Sequence, residues 1–452
     1  MKKLRLTLST THIIMISFVL AILVGSVLLS LPVSSANGEA VPYIDALFTA
    51  TTSTCVTGLV TVTTASAWST FGHIVILALI QIGGLGIITI MAGFMIALHK
   101  RVSLKNRLLL QDAFNLNSLS GLVRFVKKVL IGTFIIEGLG ALLYMTVFVP
   151  QFGARGVWIS VFNSVSAFCN AGIDIIGDTS LIKYATNPLV NGVTCFLIIM
   201  GGIGYIVWWD LLLVLKTRKN HKGKLFFRLT LHSKIALCST AVLLVSGFLL
   251  FFAFEYNNPL TIGNMNLFDK AQVSFFQSVT TRTAGFDSIG QKGITNASAV
   301  VSLLLMFIGG SPVGTAGGVK TVTFVVLVAS AISSVRGKSE TTMFNRTISK
   351  EAVRKAVSVT VLSFTILFTS TLLLCTVTTA DMLDIIYETT SATATVGLSR
   401  SLTPSLSGTG KLIIIATMYL GRVGPISLAI AFKLRKENHN IIKNPTEKIS
   451  IG

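Results

Sequence analysis

Eight stretches of the chain are apolar for long enough to cross a bilayer as helix, near residues 12–31, 73–98, 126–149, 189–215, 235–254, 298–335, 356–379 and 412–432. A spanning helix needs about 20 such residues. Within each successive pair lies a shorter segment rich in Thr, Ser and Ala. These segments run Phe48–Gly58, Phe162–Gly172, Phe275–Gly285 and Tyr387–Gly397. In all four an aromatic residue precedes a glycine by ten positions, and the glycines recur 114, 113 and 112 residues apart. A second element keeps the same rhythm: Gly83-Gly84, Gly201-Gly202, Gly309-Gly310 and Gly421 follow those glycines by 24 to 29 residues. Two elements recurring four times in register predict four tandem span–short segment–span units, over 1–100, 101–216, 217–336 and 337–452.

Charge decides whether the short segments cross. The linkers between units and the two tails carry 28 of the 37 Lys and Arg, whereas the opposite loops carry 10 of the 17 Asp and Glu. Three crossings per unit would make the basic linkers alternate sides, and they do not. Each unit is therefore expected to cross twice, with both termini cytoplasmic and the short segment dipping in from outside. Units that all point the same way relate by an axis along the membrane normal. The expected fold is an all-α membrane protein of four M1–P–M2 repeats, eight spans and four re-entrant loops around one central pore. Irregular backbone at membrane depth is tolerated where it lines such a cavity.

Composition agrees. Of 452 residues 52% are hydrophobic and 12% charged, and mean hydropathy is +0.77. A soluble domain carries about 25% charged residues, so a soluble enzyme, a disordered chain and a secreted disulfide scaffold are all disfavoured. The net charge of +20 sits in short clusters between apolar runs, so no nucleic-acid partner is expected. Cys55, Cys169, Cys195, Cys238 and Cys375 form no CxxC pair, and the six histidines form no HExxH. Lys2, Lys3 and Arg5 before an apolar run mimic a signal peptide, but a 20-residue run exceeds a signal core of 7–15 and reads as a retained span.

The re-entrant segments suggest a cation path. A short helix entering from outside aims its partially negative C-terminal end at the pore centre, and the closing glycine lets the preceding carbonyls turn inward. Rings of carbonyls that replace a hydration shell are how potassium filters work. The candidate strings are Cys55-Val56-Thr57-Gly58, Cys169-Asn170-Ala171-Gly172, Thr283-Ala284-Gly285 and Thr395-Val396-Gly397. Small residues also permit plain helix packing, the better account of any one string but not of four in register. Arg282, inside the third segment, is expected to point behind the filter. Small-residue packing accounts for Cys55 and Cys169 at one repeat position.

The sixth apolar stretch stands out, because Gly309, Gly310, Ser311, Pro312, Gly314, Thr315, Ala316, Gly317, Gly318 and Lys320 interrupt it. Helix does not run easily through such a string, and broken helix at midplane marks a binding site or a gate. GxxxxGK[ST] fails there, since Val319 separates Gly318 from Lys320, so a nucleotide loop is rejected. Arg422 lies inside the last span, where a charge faces the cavity or a partner; the carbonyl-rich loop 309–318 is the expected partner. Glu137, also midspan, reads equally well as a packing residue or an ion site.

The four glycine-ended loops, the Gly-Gly-Ser-Pro break and the lone arginine together resemble the Trk/Ktr/HKT superfamily of potassium transporters, along essentially the whole chain. Length and the short basic N-terminus look most like the membrane subunit of bacterial Ktr systems. The resemblance implies filter glycines at Gly58, Gly172, Gly285 and Gly397, a gating loop at 309–318 and a blocking arginine at Arg422. It implies potassium uptake across the bacterial cytoplasmic membrane by a homodimer with one pore per subunit. Control would come from a separate cytosolic ring of RCK (KTN) subunits that binds nucleotide. No cofactor is expected on this chain, with K+ as substrate at the filter only. Its basic segments 100–128, 216–234 and 336–355 would dock that ring or meet anionic lipid. Transport coupled to sodium or protons is the alternative, and no acid pair, nucleophile–base pair or metal cluster supports an enzyme.

Overall fold

In hydrocarbon each peptide group must be bonded within its own segment, so the uninterrupted apolar runs become helix and the interrupted ones bend. The computed structural model describes residues 10–98, 104–113, 121–217 and 225–424. The tails and much of the basic linkers 100–128 and 216–234 fall outside them. The helices in chain order are α1 (Thr10–Ser30), α2 (Tyr43–Cys55), α3 (Thr64–Ala67), α4 (Thr70–Leu85), α5 (Ile87–Ala97) and α6 (Leu104–Ala113). Then follow α7 (Leu122–Phe152), α8 (Ala154–Cys169), α9 (Pro188–Gly202), α10 (Tyr205–Lys216), α11 (Leu225–Arg228) and α12 (Leu231–Glu255). The last six are α13 (Leu267–Thr280), α14 (Asn296–Phe307), α15 (Thr321–Val335), α16 (Lys350–Cys375), α17 (Met382–Ala394) and α18 (Gly408–Val423).

Among the described residues, only α1, α7, α12 and α16 are continuous helices long and apolar enough to span. The runs 73–98 and 189–215, expected as straight spans, are instead bent by 96° and 94° where α4 meets α5 and α9 meets α10. The bends sit at Gly86 (φ 84°) and Gly204 (φ 93°), and Gly424 ends α18 in the same conformation (φ 89°). That left-handed backbone is open to glycine and closed to other residues at little strain. The break between α14 and α15 is therefore one of several, and the sixth stretch is not the odd one. The all-helical expectation also misses a small hairpin in segment 336–355, β1 (Thr341–Met343) against β2 (Arg346–Ile348). Its turn residues Phe344 and Asn345 both have positive φ, as the favoured two-residue hairpin turn requires.

Polarity is inverted relative to a water-soluble fold. Phe134 and Leu142 on α7 and Phe364 and Phe368 on α16 are exposed, whereas Thr51, Thr52, Ser53 and Thr54 on α2 and Thr389, Thr390 and Ser391 on α17 are buried. Such hydroxyls bond back to the preceding helical turn, as Thr51 Oγ1 does to Leu47 O at 2.7 Å and Ser53 Oγ to Thr49 O at 2.7 Å. This lets a polar interior coexist with helix.

The short helices α2, α8, α13 and α17 are placed by a cyclic packing order. α4 packs on α8, α9 on α13, α14 on α17, and α18 on α2, which returns the order to its start. An ion pair secures that last joint: Lys411 Nζ lies 2.6 Å from Asp45 Oδ1, across 366 residues of sequence.

Candidate functional site

α2, α8 and α17 end alike. The residue after each last turn is left-handed: Val56 (φ 55°), Asn170 (φ 59°) and Thr395 (φ 51°). The next amide reaches back five residues, from Thr57 N to Thr52 O, Ala171 N to Ser166 O and Val396 N to Ser391 O, each at 2.8 Å. This is the six-to-one bond of a helix C-terminus closed by a left-handed residue. α13 stops two residues earlier relative to its glycine, at Thr280, and its left-handed residue is Thr283 (φ 66°). Two residues on, Gly58, Gly172, Gly285 and Gly397 are again left-handed, at 100°, 64°, 81° and 101°.

Side chains hold these strings from behind. The amides of Gly58 and Gly397 donate to Thr52 Oγ1 and Ser391 Oγ at 3.0 Å, and Ile173 N donates to Ser166 Oγ at 3.1 Å. In the third string Thr280 Oγ1 instead donates to Phe286 O at 2.7 Å. The carbonyls of the last three residues of each string receive no hydrogen bond among the described residues. Buried carbonyls are almost always paired, so these stand out as groups that call for another partner.

The strings close on one another. A Cβ on Gly58 would lie 2.5 Å from Ala171 O, and one on Gly172 would lie 2.5 Å from Ala284 O. A Cβ on Gly285 would strike Val396 O, and one on Gly397 would strike Thr57 O. The place of each absent side chain is thus taken by a carbonyl oxygen of the next string, in the order 58, 172, 285, 397 and back to 58. The second-element glycines serve the outer side of the same strings. Side chains at Gly83, Gly201 and Gly421 would strike Thr54 O, Phe168 O and Thr393 O, each four residues before a string's glycine. Arg282 is not brought into the ring: its guanidinium donates to Gly309 O at 3.0 Å and to Thr240 O on α12 at 3.4 Å.

The segment between α14 and α15 forms a loop with a tied neck. Gly309 N donates to Val319 O at 3.0 Å, Val319 N to Phe307 O at 3.1 Å, and Thr321 N to Gly310 O at 3.0 Å. The loop caps the bend between α9 and α10. Ser311 N and Thr315 N donate to Gly202 O (2.8 Å) and Gly201 O (3.1 Å), while Tyr205 N donates to Val313 O (2.9 Å). Helix ends leave such groups without partners of their own. Pro312 O lies against Gly204, Gly314 against Gly201 O, and Gly317 against Thr395 Oγ1. Thr315 Oγ1 donates toward Phe168 O (3.0 Å) and Asn170 Oδ1 (3.1 Å), and Lys320 Nζ donates to Ala316 O within the loop. Arg422 reaches in from α18, with Nη1 2.7 Å from Thr315 O and Nη2 2.5 Å from Gly83 O. Cavities of about 20 Å³, each water-sized, border the loop at Gly310 and at Gly318.

Four strings whose glycines and carbonyls meet in a closed cycle, with an arginine-pinned loop packed against two of them, suit a cation path. Residues 2–443 match the TrkH family of cation transport proteins. The chain belongs to that family. It is 40% identical over 442 residues to the Ktr system potassium uptake protein B of Bacillus subtilis, covering 98% of this chain and 96% of that one. It is likewise 40% identical over 465 residues to the potassium/sodium uptake protein NtpJ of Enterococcus hirae, covering 100% and 99%. The crystal structure of the potassium transporter TrkH from Vibrio parahaemolyticus superposes with a TM-score of 0.75 at 15% identity, over 96% of this chain and 87% of that one, a likeness of fold.

For this family member, sequence reasoning missed three features of the site. The left-handed Val56, Thr283 and Thr395 carry no signal, since β-branched residues avoid positive φ. The bends at Gly86, Gly204 and Gly424 had one, because each lies three residues after a recurring glycine, Gly83, Gly201 or Gly421. The third is the setting of Glu137. Gln81 Nε2 donates to its Oε2 at 3.1 Å, and the Cys169 thiol lies 3.4 Å from Gln81 Oε1 and 3.9 Å from Glu137 Oε1. The carboxyl thus belongs to a buried cluster behind the second string.

Proposed function

We propose that the chain mediates potassium uptake through a gated, channel-like pore, with the four glycine-ended strings as its selectivity filter. Loop 309–318 and Arg422 form the gate. The observation that carries this reading is the closed cycle in which each string's glycine makes room for the next string's carbonyl oxygen. Four tandem M1–P–M2 units over 1–100, 101–216, 217–336 and 337–452, each crossing twice with both termini cytoplasmic, would place that cycle on the pore axis. The inward force is about 2.3 kcal/mol per charge per 100 mV of membrane potential, enough to accumulate potassium without ATP. The relatives named for potassium uptake support the substrate, and the word "system" in the name of the Bacillus relative supports a second subunit. A homodimer under a cytosolic RCK (KTN) ring, in the bacterial cytoplasmic membrane, completes the proposal.

Sodium-coupled uptake is the second reading, favoured by the name of the Enterococcus relative. Purified protein in liposomes separates the two when potassium flux is measured against sodium, rubidium and caesium at set potentials. Potassium-selective flux that follows potential supports the pore. Sodium moving with potassium in fixed ratio supports coupling. Silence in the presence of the cytosolic subunits overturns both.

A further inference from the structure

We propose that loop 309–318 also sets the shape of the filter it closes, through the Thr315 hydroxyl and the Asn170 side chain. The inference rests on reading the strings as filter and the loop as gate. Asn170 stands two residues before Gly172, left-handed and 1% exposed. The Oδ1 of its amide meets the Thr315 hydroxyl at 3.1 Å, and Nδ2 has no partner. Among the described residues, one hydroxyl from the loop is therefore the sole hydrogen-bond partner of a fully buried side chain on the second string. The same hydroxyl lies 3.0 Å from Phe168 O, so it grips the string on either side of Cys169.

At the matching position of the fourth string, the Thr395 hydroxyl lies against Gly317 of the loop. Val56 on the first string has no polar side-chain group, and among the described residues neither the Thr283 nor the Thr395 hydroxyl has a hydrogen-bond partner. The loop thus bonds the second string and packs against the fourth, and these two face each other across the cycle.

Every polar group of Thr315 is used, each toward a different element. Its N–H binds Gly201 O on α9 at 3.1 Å, its carbonyl accepts from Arg422 at 2.7 Å, and its hydroxyl props the second string. The loop cannot leave the path without releasing Asn170. Open and closed states then differ in discrimination as well as in conductance. Thr315 acts as a positioning residue, since it shapes the string through Asn170.

The test is potassium and sodium flux through the full chain in liposomes, for the parent, Thr315→Val, Thr315→Ser, Asn170→Ala and the double variant Thr315→Val/Asn170→Ala. Valine keeps the shape and removes the hydroxyl. Thr315→Val and Asn170→Ala are each expected to lower the potassium/sodium flux ratio about fivefold, the factor carried by one buried hydrogen bond. Thr315→Ser is expected to keep the parent ratio, and the double variant to lose no more than either single one. If Thr315→Val raises both fluxes and leaves the ratio unchanged, the loop is a gate only and the inference falls. Should Thr315→Val fail to fold, an unchanged ratio in Asn170→Ala still overturns the inference. A parent that does not discriminate overturns the filter reading itself, a distinct failure.

Discussion

Gly58→Ala tests the cycle of strings most directly. The new methyl would lie 2.5 Å from Ala171 O and 3.1 Å from Gly397 Cα, both backbone atoms that no side-chain rotation can move aside. Ordinary contact begins near 3.4 Å, so the first string or its neighbour must shift by about 0.9 Å, which is 3.4 Å less 2.5 Å. Backbone strain at φ 100° adds about 1–2 kcal/mol. A carbonyl moved that far no longer completes the shell around a cation. Losing one bond to a charged group is worth about 1.5–3 kcal/mol, and half of that, borne by potassium and not by sodium, is about tenfold in selectivity. Gly38→Ala is the control. Its φ of +72° carries similar strain, but no atom lies within 4 Å of the added methyl. Flux ratios in liposomes should fall about tenfold for Gly58→Ala and stay at the parent value for Gly38→Ala. A Gly58→Ala protein that elutes as the parent does and keeps its ratio within twofold would refute the cycle as the selective element.

Other substitutions probe the surroundings. Arg422→Ala frees Thr315 O and Gly83 O and should raise potassium flux about fivefold or more in the absence of cytosolic subunits, since one charged hydrogen bond to the loop is worth about 1.5–3 kcal/mol; unchanged flux from a folded variant would remove Arg422 from the gate. Glu137→Leu orphans Gln81 and should lower thermal stability by about 1–3 kcal/mol, whereas Glu137→Gln keeps a partner for Gln81 and should lose less than half as much, as melting in detergent would reveal. Asp45→Asn and Lys411→Met should each destabilise, because the pair is largely buried, and a double-mutant cycle should return a coupling of about 1–2 kcal/mol; a coupling near zero would make the joint between α18 and α2 purely apolar.

The recurrent glycines made the short helices and their strings legible, because a glycine that must yield its side-chain space to a neighbouring carbonyl leaves a fixed mark in sequence. Arg422 and the loop could be paired for a similar reason: an intramembrane cation and a run of unbonded carbonyls each need a partner. What stayed hidden depends on tertiary packing. Val56 is left-handed only because Thr52 and the next string hold it there, against its own preference. The bend at Gly204 looks like a tolerated glycine in an apolar run until Ser311, Val313 and Thr315 arrive to cap it. Arg282 sits in the middle of the third segment, and only the path of α12 and Gly309 shows where its guanidinium goes. The hairpin at 341–348 turns on Phe344 and Asn345, without the Asn-Gly pair that would have announced it.

The joint between α18 and α2 has a consequence for biosynthesis. α2 enters the membrane early, yet its partner α18 and the residue that pairs with Asp45 are made some 366 residues later. A nascent chain still lacking α18 already holds all four strings, but the joint that returns the cycle to α2 is unmade. Closure of the cycle thus waits for the last helix. Under the proposed pore reading, an unfinished or prematurely terminated chain would lack a closed path.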